Sequence, residues 1–288
     1  MSDIEADPPL NDLFVEPEGY YPPTPPPTTT FYTTLTGDTI TLHLVGHSPL
    51  EAHHLWNASR VVAEHFERNP DEVRGRTVLE LGAGAGLPSL VASALGAKMV
   101  VMTDYPDVDL VRNMWRNVDE CALIPREAKK GSQGAEEGDE PTNIVVDGYI
   151  WGADTTKLLK YLESDTSSQE PQGFDLLILA DLLFRHTEHR NMLKTVRHAL
   201  KRTRDAKALV VFCSYRPWLQ KKDLAFFDLA REQGFEVEKV MEKKMDRPLF
   251  ENDPGDVEIL KTVTGWELRW PETECLGNGE VKANAAGS

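Results

Sequence analysis

Between residues 78 and 90 the chain reads VLELGAGAGLPSL, with Gly82, Gly84 and Gly86 at every second position after an apolar run. A tight turn from a buried strand into a helix needs glycine where the backbone takes positive φ, or where it approaches a ligand with no Cβ in the way. A dinucleotide fingerprint would set its third glycine at position 87, to let helix and strand close around a pyrophosphate; Leu87 stands there instead. A P-loop is excluded because no GK[ST] follows. Two acids frame the turn: Glu80 at the strand end, and Asp104 after the run KMVVMT, at the spacing where a carboxylate bonds a ribose diol. The combination predicts a turn shaped for a nucleoside without a pyrophosphate.

The elements that must position these groups follow from hydrophobic patterning. FYTTL and TITLHLV flank Thr36-Gly37-Asp38, which predicts a β-hairpin over 31–46. Apolar residues at Leu55, Ala58, Val61, Val62 and Phe66 predict a helix from Glu51 to Glu67. Strand and helix patterns then alternate: TVLEL, a helix from Pro88, KMVVMT, a helix from Asp107 to Cys121, NIVVDGYIW, FDLLILA, a helix from Glu188 to Arg202, ALVVFCS, and a helix from Lys221. Such units imply a parallel sheet covered on both faces. FEVEKVM and ILKTVTGWELRW follow without an intervening helix, the pattern of an antiparallel pair at a sheet edge. Residues 1–30 are acidic and then Pro/Thr-rich and read as an extended arm. Residues 126–143 read as a charged insertion and 272–288 as a flexible tail, leaving one domain over 31–271.

Composition narrows the partners. With 31 basic against 47 acidic residues, the formal net charge is −16 over 288 residues. A phosphate backbone would be repelled, so nucleic acid is a poor partner, whereas basic polypeptide segments would be steered inward. Cys121, Cys213 and Cys275 form no CxxC pair, so neither zinc ribbon nor disulfide framework is signalled and a reducing, cytoplasmic location is expected. No apolar run reaches membrane-spanning length, and no membrane partner is expected. His53-His54 and the pair His186 and His189 lack a third ligand at a recognisable spacing, and adjacent histidines on a helix would point apart; no metal is expected. No pattern specifies an oligomer, and a monomer is the default expectation.

The segments LHLVGHSPLEAHHLWNASR, VLELGAGAGLPSL, VVMTDYPDVDLVRN, YIWG, ADLLFRHTEH and CSYRPW resemble the fungal nicotinamide N-methyltransferase-like proteins of methyltransferase family 16, and within it the elongation factor methyltransferase 7 group. The resemblance covers about Leu13 to Trp270. It implies an α/β, Rossmann-like seven-stranded S-adenosyl-L-methionine methyltransferase fold with an N-terminal β-hairpin extension. It also implies a protein substrate, translation elongation factor 1-alpha, methylated at its N-terminal glycine and adjacent lysine. Carried over by position, the cofactor contacts fall on Trp56, Gly82, Gly84, Asp104, Trp151 and Ala180. Asp181 and Phe184 take the catalytic positions of a [DE]-x-x-Y motif, with Phe184 where the motif has tyrosine, so a hydroxyl that could orient an amine is missing. Core packing for Trp56 and Trp151, and a capping role for Asp181, are the alternatives. Phe184, Tyr215 and Trp218 offer π faces for a methylated cation.

Amine chemistry sets what such a site must supply. An α-amine is neutral in roughly a tenth to a sixth of molecules at pH 7, a lysine in only about one in 2,500. Asp181 at a strand's carboxyl end is placed to attract a lysine ammonium before deprotonation. Two other functions fit the same motifs: methylation of a small nicotinamide-type amine, which an enclosed pocket would favour, and a non-catalytic S-adenosylmethionine-binding interaction module.

Overall fold

The computed structural model describes residues 25–46, 48–127, 140–162 and 172–275. In chain order the elements are β1 (Thr28–Thr33), β2 (Thr39–Leu44), α1 (Asn57–Arg68), β3 (Thr77–Leu81), α2 (Leu87–Ala94), β4 (Met99–Asp104), α3 (Val108–Glu120), β5 (Arg126–Glu127), β6 (Glu140–Pro141), β7 (Ile144–Gly148), α4 (Thr156–Leu159), β8 (Leu176–Ala180), α5 (His189–Ala199), β9 (Lys207–Cys213), α6 (Gln220–Glu232), β10 (Glu236–Lys244), α7 (Val257–Leu260) and β11 (Thr262–Arg269). The main sheet has the order β10-β11-β9-β8-β3-β4-β7. β7, β4, β3, β8 and β9 pair in parallel, and β11 runs antiparallel to both β9 and β10. This is the Rossmann-like architecture that the alternating pattern requires, and the edge pair is antiparallel as expected, although the short helix α7 stands between its strands and takes Ile259 and Leu260, which were expected to open the second one.

Strand alternation divides the core in two. Val78, Val100, Ile178 and Leu209 face one side of the sheet with Phe66, Leu90 and Met114 of α1, α2 and α3. Leu79, Val101, Leu177 and Val210 face the other with Met192, Val196, Phe226 and Phe227 of α5 and α6. Both faces of every central strand are therefore apolar, as a sheet covered by helices demands. The hairpin β1–β2 joins the first core through Ile40, Leu42 and Leu44. Among the described residues, no helix is long and apolar enough to cross a membrane.

Four boundaries differ from expectation. The helix expected from Glu51 begins at Asn57, because Glu51 has φ 63 and residues 51–54 form turns. β1 starts at Thr28, so the last residues of the expected arm are strand, and residues 1–24 lie outside the described residues. The ends of the 126–143 insertion pair as β5 and β6, while 128–139 lie outside the described residues. Of the expected tail, Glu272–Glu274 form a single 3-10 turn, and 276–288 lie outside.

Candidate active site

β3 runs out at Leu81, and the next five residues turn the chain into α2 with Gly82, Gly84 and Gly86 at φ 60, 56 and 77. The three glycines are required for different reasons. A Cβ on Gly82 would lie 2.5 Å from Leu182 Cδ2, and one on Gly86 would lie 1.8 Å from Met102 Cε, whereas one on Gly84 would meet nothing within 4 Å. Gly82 and Gly86 are thus fixed by the protein's own packing, and Gly84 faces open space. The turn is locked from below: Thr103 Oγ1 donates to the Glu80 carbonyl at 2.7 Å, the Ala83 N–H to Thr103 O at 3.0 Å, and Asn117 Nδ2 to Ala85 O at 3.0 Å. Glu80, expected to help frame a ligand, turns away. Its buried carboxylate accepts from the N–H and the hydroxyl of Ser89 in the first turn of α2, and burial pushes its pKa up to about 8.

Above this turn is a cavity of about 330 Å³ at the carboxyl ends of the parallel strands, where open α/β sheets place their ligands. The six expected cofactor contacts, Trp56, Gly82, Gly84, Asp104, Trp151 and Ala180, and the two expected catalytic positions, Asp181 and Phe184, all line it. Asp104, 8% exposed, accepts from the Gly84 N–H at 2.7 Å on one oxygen and from the Tyr105 N–H at 2.6 Å on the other. Each oxygen keeps a further lone pair for a hydroxyl donor. Burial raises the Asp104 pKa against these two bonds. Leu50, Tyr105, Tyr149, Ile150 and Leu182 complete much of the lining. They carry no signal beyond standing next to a strand end or a motif residue, which is why sequence reading passed over them.

Asp181 occupies an unusual place. Its φ is 54, a conformation that non-glycine residues rarely adopt. Its Oδ1 accepts from the Cys213 N–H at 2.8 Å, and its Oδ2 from the Ala58 N–H at 2.8 Å and more distantly from the Tyr215 hydroxyl at 3.4 Å. The carboxylate therefore caps the first turn of α1, 123 residues away, and not the turn that follows it in sequence. Burial pushes its pKa up to about 7 despite these donors. Phe184 is half-buried and near-parallel to Trp56, with ring centroids 6.4 Å apart. The hydroxyl missing at Phe184 has a counterpart: Tyr215, after β9, brings its own hydroxyl to Asp181 and accepts the Asn57 N–H there at 3.2 Å. Only its ring face had been singled out from the sequence.

Trp56 is the N-cap residue of α1, in extended conformation, so its ring leaves the helix surface and turns to the cavity while its Nε1 donates to the Glu51 carbonyl at 2.9 Å. Trp218 is 62% exposed on the rim of an adjoining cavity. The histidine expectation needs correction. His53 and His54 are on a turn, their rings are 4.1 Å apart, and with Glu51 they offer ligand atoms within 4.8 Å of one another. His186 and His189 take separate partners, Asp223 Oδ1 and the Leu183 carbonyl.

Comparison with known proteins agrees with this geometry. A lysine methyltransferase family model matches residues 42–129, from the end of β2 through the glycine turn and α3. The protein N-terminal and lysine N-methyltransferase efm7 of Neurospora crassa is 57% identical over 270 residues, covering 94% of this chain and 90% of its own. Its counterpart in Gibberella zeae is 52% identical, covering 94% and 98%, and that of Schizosaccharomyces pombe 41%, covering 90% and 95%. The chain belongs to this methyltransferase family. Its methyl donor is therefore S-adenosyl-L-methionine. The residues present fit that group, because Gly84 leaves the space a Cβ would fill and the Asp104 carboxylate stands buried beside it.

Proposed function

We propose that this chain methylates the N-terminal glycine and the adjacent lysine of translation elongation factor 1-alpha in the cytoplasm. The observation that carries the reading is that relatives named as protein N-terminal and lysine N-methyltransferases match over nine tenths of the chain. The choice of elongation factor is supported by the resemblance of the quoted motifs to the elongation factor methyltransferase 7 group. An adjoining cavity with an exposed tryptophan on its rim suits the end of a polypeptide better than a small enclosed amine.

In this reading Gly82, Gly84 and Ala180 bring backbone close to the cofactor, Asp104 binds its ribose, and Trp56 and Trp151 offer flat faces. Held by these residues, S-adenosylmethionine would supply a sulfonium-bound methyl group as the electrophile for the amine nitrogen. The chain's own work is alignment and desolvation. Phe184 and Trp56 exclude water at the boundary of the two cavities. Asp181, accepting one backbone N–H on each oxygen, holds β8, the end of β9 and the start of α1 in register and, when ionised, adds a negative potential that favours an approaching ammonium; the proton is then lost to water. The test is mass spectrometry of N-terminal peptides from unmethylated elongation factor 1-alpha after incubation with the protein and S-adenosylmethionine. Whole methyl units on the terminal glycine and next lysine are expected. No gain from a protein shown to bind the cofactor would reject this target.

A further inference from the structure

A second cavity, of about 660 Å³, adjoins the first and shares Glu51, Trp56, Phe184, Arg185 and Thr187 with it. Four segments distant in sequence bring aromatic rings to it: Trp56 before α1, Phe184 after β8, Tyr215 after β9 and Phe250 from the loop of residues 245–256. Trp56 is the hub, with ring centroids 4.8 Å from Tyr215, 5.8 Å from Phe250 and 6.4 Å from Phe184, and Tyr215 and Phe250 are 6.2 Å apart. Three of these pairs meet edge to face, at 61°, 81° and 66°, an arrangement that covers one face of only one ring in each pair. The loop that carries Phe250 is seated on the Arg216-Pro217 turn, where a Cβ on Gly255 would lie 2.9 Å from Pro217 Cγ.

The formal charges around this space balance, two carboxylates against two guanidiniums, so the aromatic faces carry its preference for a cation. Glu51 and Asp253 line it. Its basic residues are already engaged: Arg216 Nη2 donates to the Phe184 carbonyl at 2.7 Å, His186 bonds Asp223, and the Arg185 guanidinium sits 5.9 Å from the Phe184 ring centroid. Arg185 is itself a cation resting on a ring of this cluster. A desolvated ammonium is held by aromatic faces without a strong hydrogen-bond acceptor, which leaves its nitrogen free to lose a proton and react.

We propose that the second cavity is the acceptor-amine subsite, and that Phe250 is its specificity-determining residue, closing an aromatic wall around an ammonium on a slender alkyl chain. This rests on the methyltransferase reading of the first cavity, since the shared wall of Trp56 and Phe184 is where an acceptor nitrogen would meet the methyl group. Each added methyl enlarges the apolar cation that the wall accommodates, so Phe250 matters most for the later transfers.

The test uses the full chain saturated with S-adenosylhomocysteine, with tryptophan fluorescence as the readout. Choline is titrated against its uncharged isostere 3,3-dimethylbutan-1-ol. Choline should bind about tenfold tighter, Phe250→Ala should remove most of that preference, and Phe250→Tyr should restore it. The affinity for S-adenosylhomocysteine, measured by calorimetry, should change less than about twofold in either variant. Equal binding of cation and isostere by the unaltered chain, or parallel loss of cofactor and choline binding in Phe250→Ala, overturns the proposal. Cation preference that depends on Phe250, together with no methylation of the elongation factor peptide, would reject the target and leave the subsite standing.

Discussion

Among single residues, the glycine turn separates stability from ligand binding. Gly84→Ala must hold a left-handed φ, at a cost of about 1–2 kcal/mol, and sets its methyl in the open space of the cavity. Gly86→Ala carries the same backbone cost and also drives a methyl into the buried Met102 side chain, adding about 1–3 kcal/mol. Thermal melts should therefore rank Gly86→Ala as the less stable, and calorimetry should show S-adenosylhomocysteine affinity falling at least about tenfold in Gly84→Ala; the reverse ranking in both would contradict the roles assigned. Glu80 makes a second prediction. Its pKa in the folded chain, about 8, stands above its ordinary 4.5, so the folded state binds the extra proton. That contribution is complete below pH 4.5 and is lost as pH rises through 8. Glu80→Gln imitates the protonated form, keeps an acceptor for Ser89, and should flatten the decline in melting temperature between pH 6 and pH 8 relative to the unaltered chain. An unchanged slope would mean that Glu80 is ionised without penalty.

At the scale of elements, the hairpin is an integral wall of the domain. Asn117 of α3, fully buried, accepts the His43 N–H at 2.7 Å and donates to the His43 and Ala85 carbonyls, both at 3.0 Å, tying β2 to the glycine turn. Asn117→Ala leaves these backbone groups without that partner and should cost at least about 2 kcal/mol, or a fall of roughly 4–8 °C in melting temperature. The neighbouring His43–Glu120 pair lies at the edge with Glu120 half-exposed, so Glu120→Gln should leave the melting temperature nearly unchanged. Comparable losses in the two variants would show that the hairpin is held by surface charge and not by the buried amide.

For the whole molecule, charge is the relevant quantity. A formal charge of −16 steers a peptide that begins with an ammonium and carries lysine. Because the screening length shortens from about 30 Å at 0.01 M salt to about 10 Å at 0.1 M, kcat/KM for such a peptide should fall steeply over that range. The Kd for S-adenosylhomocysteine, bound in the buried cavity, should change far less. A flat salt profile for the peptide would place recognition in short-range contacts alone.

Much of the architecture was legible because it is local. Runs of β-branched residues alternating with helical spacing specify a covered parallel sheet whatever surrounds them, and a carboxylate at the end of β4 lies beside the turn after β3 once those strands pair. On that ground Gly82, Gly84 and Asp104 could be assigned to one cavity, whereas Trp56, Trp151, Ala180, Asp181 and Phe184, which also line it, were assigned through the family resemblance. The rest depends on partners that sequence distance conceals. Whether Glu80 faces ligand or helix is decided by Ser89 coming within 2.5 Å of it. That Asp181 caps α1, and that Tyr215 supplies a hydroxyl beside it, follows only when β8, β9 and α1 converge. Phe250 had no periodic pattern to mark it, and reaches the site because its loop folds back over the sheet's carboxyl edge. The sequence by itself determined the fold and the cofactor turn, since both rest on backbone propensity and neighbouring strands; tertiary packing alone decided the acceptor side, where each wall comes from a different segment.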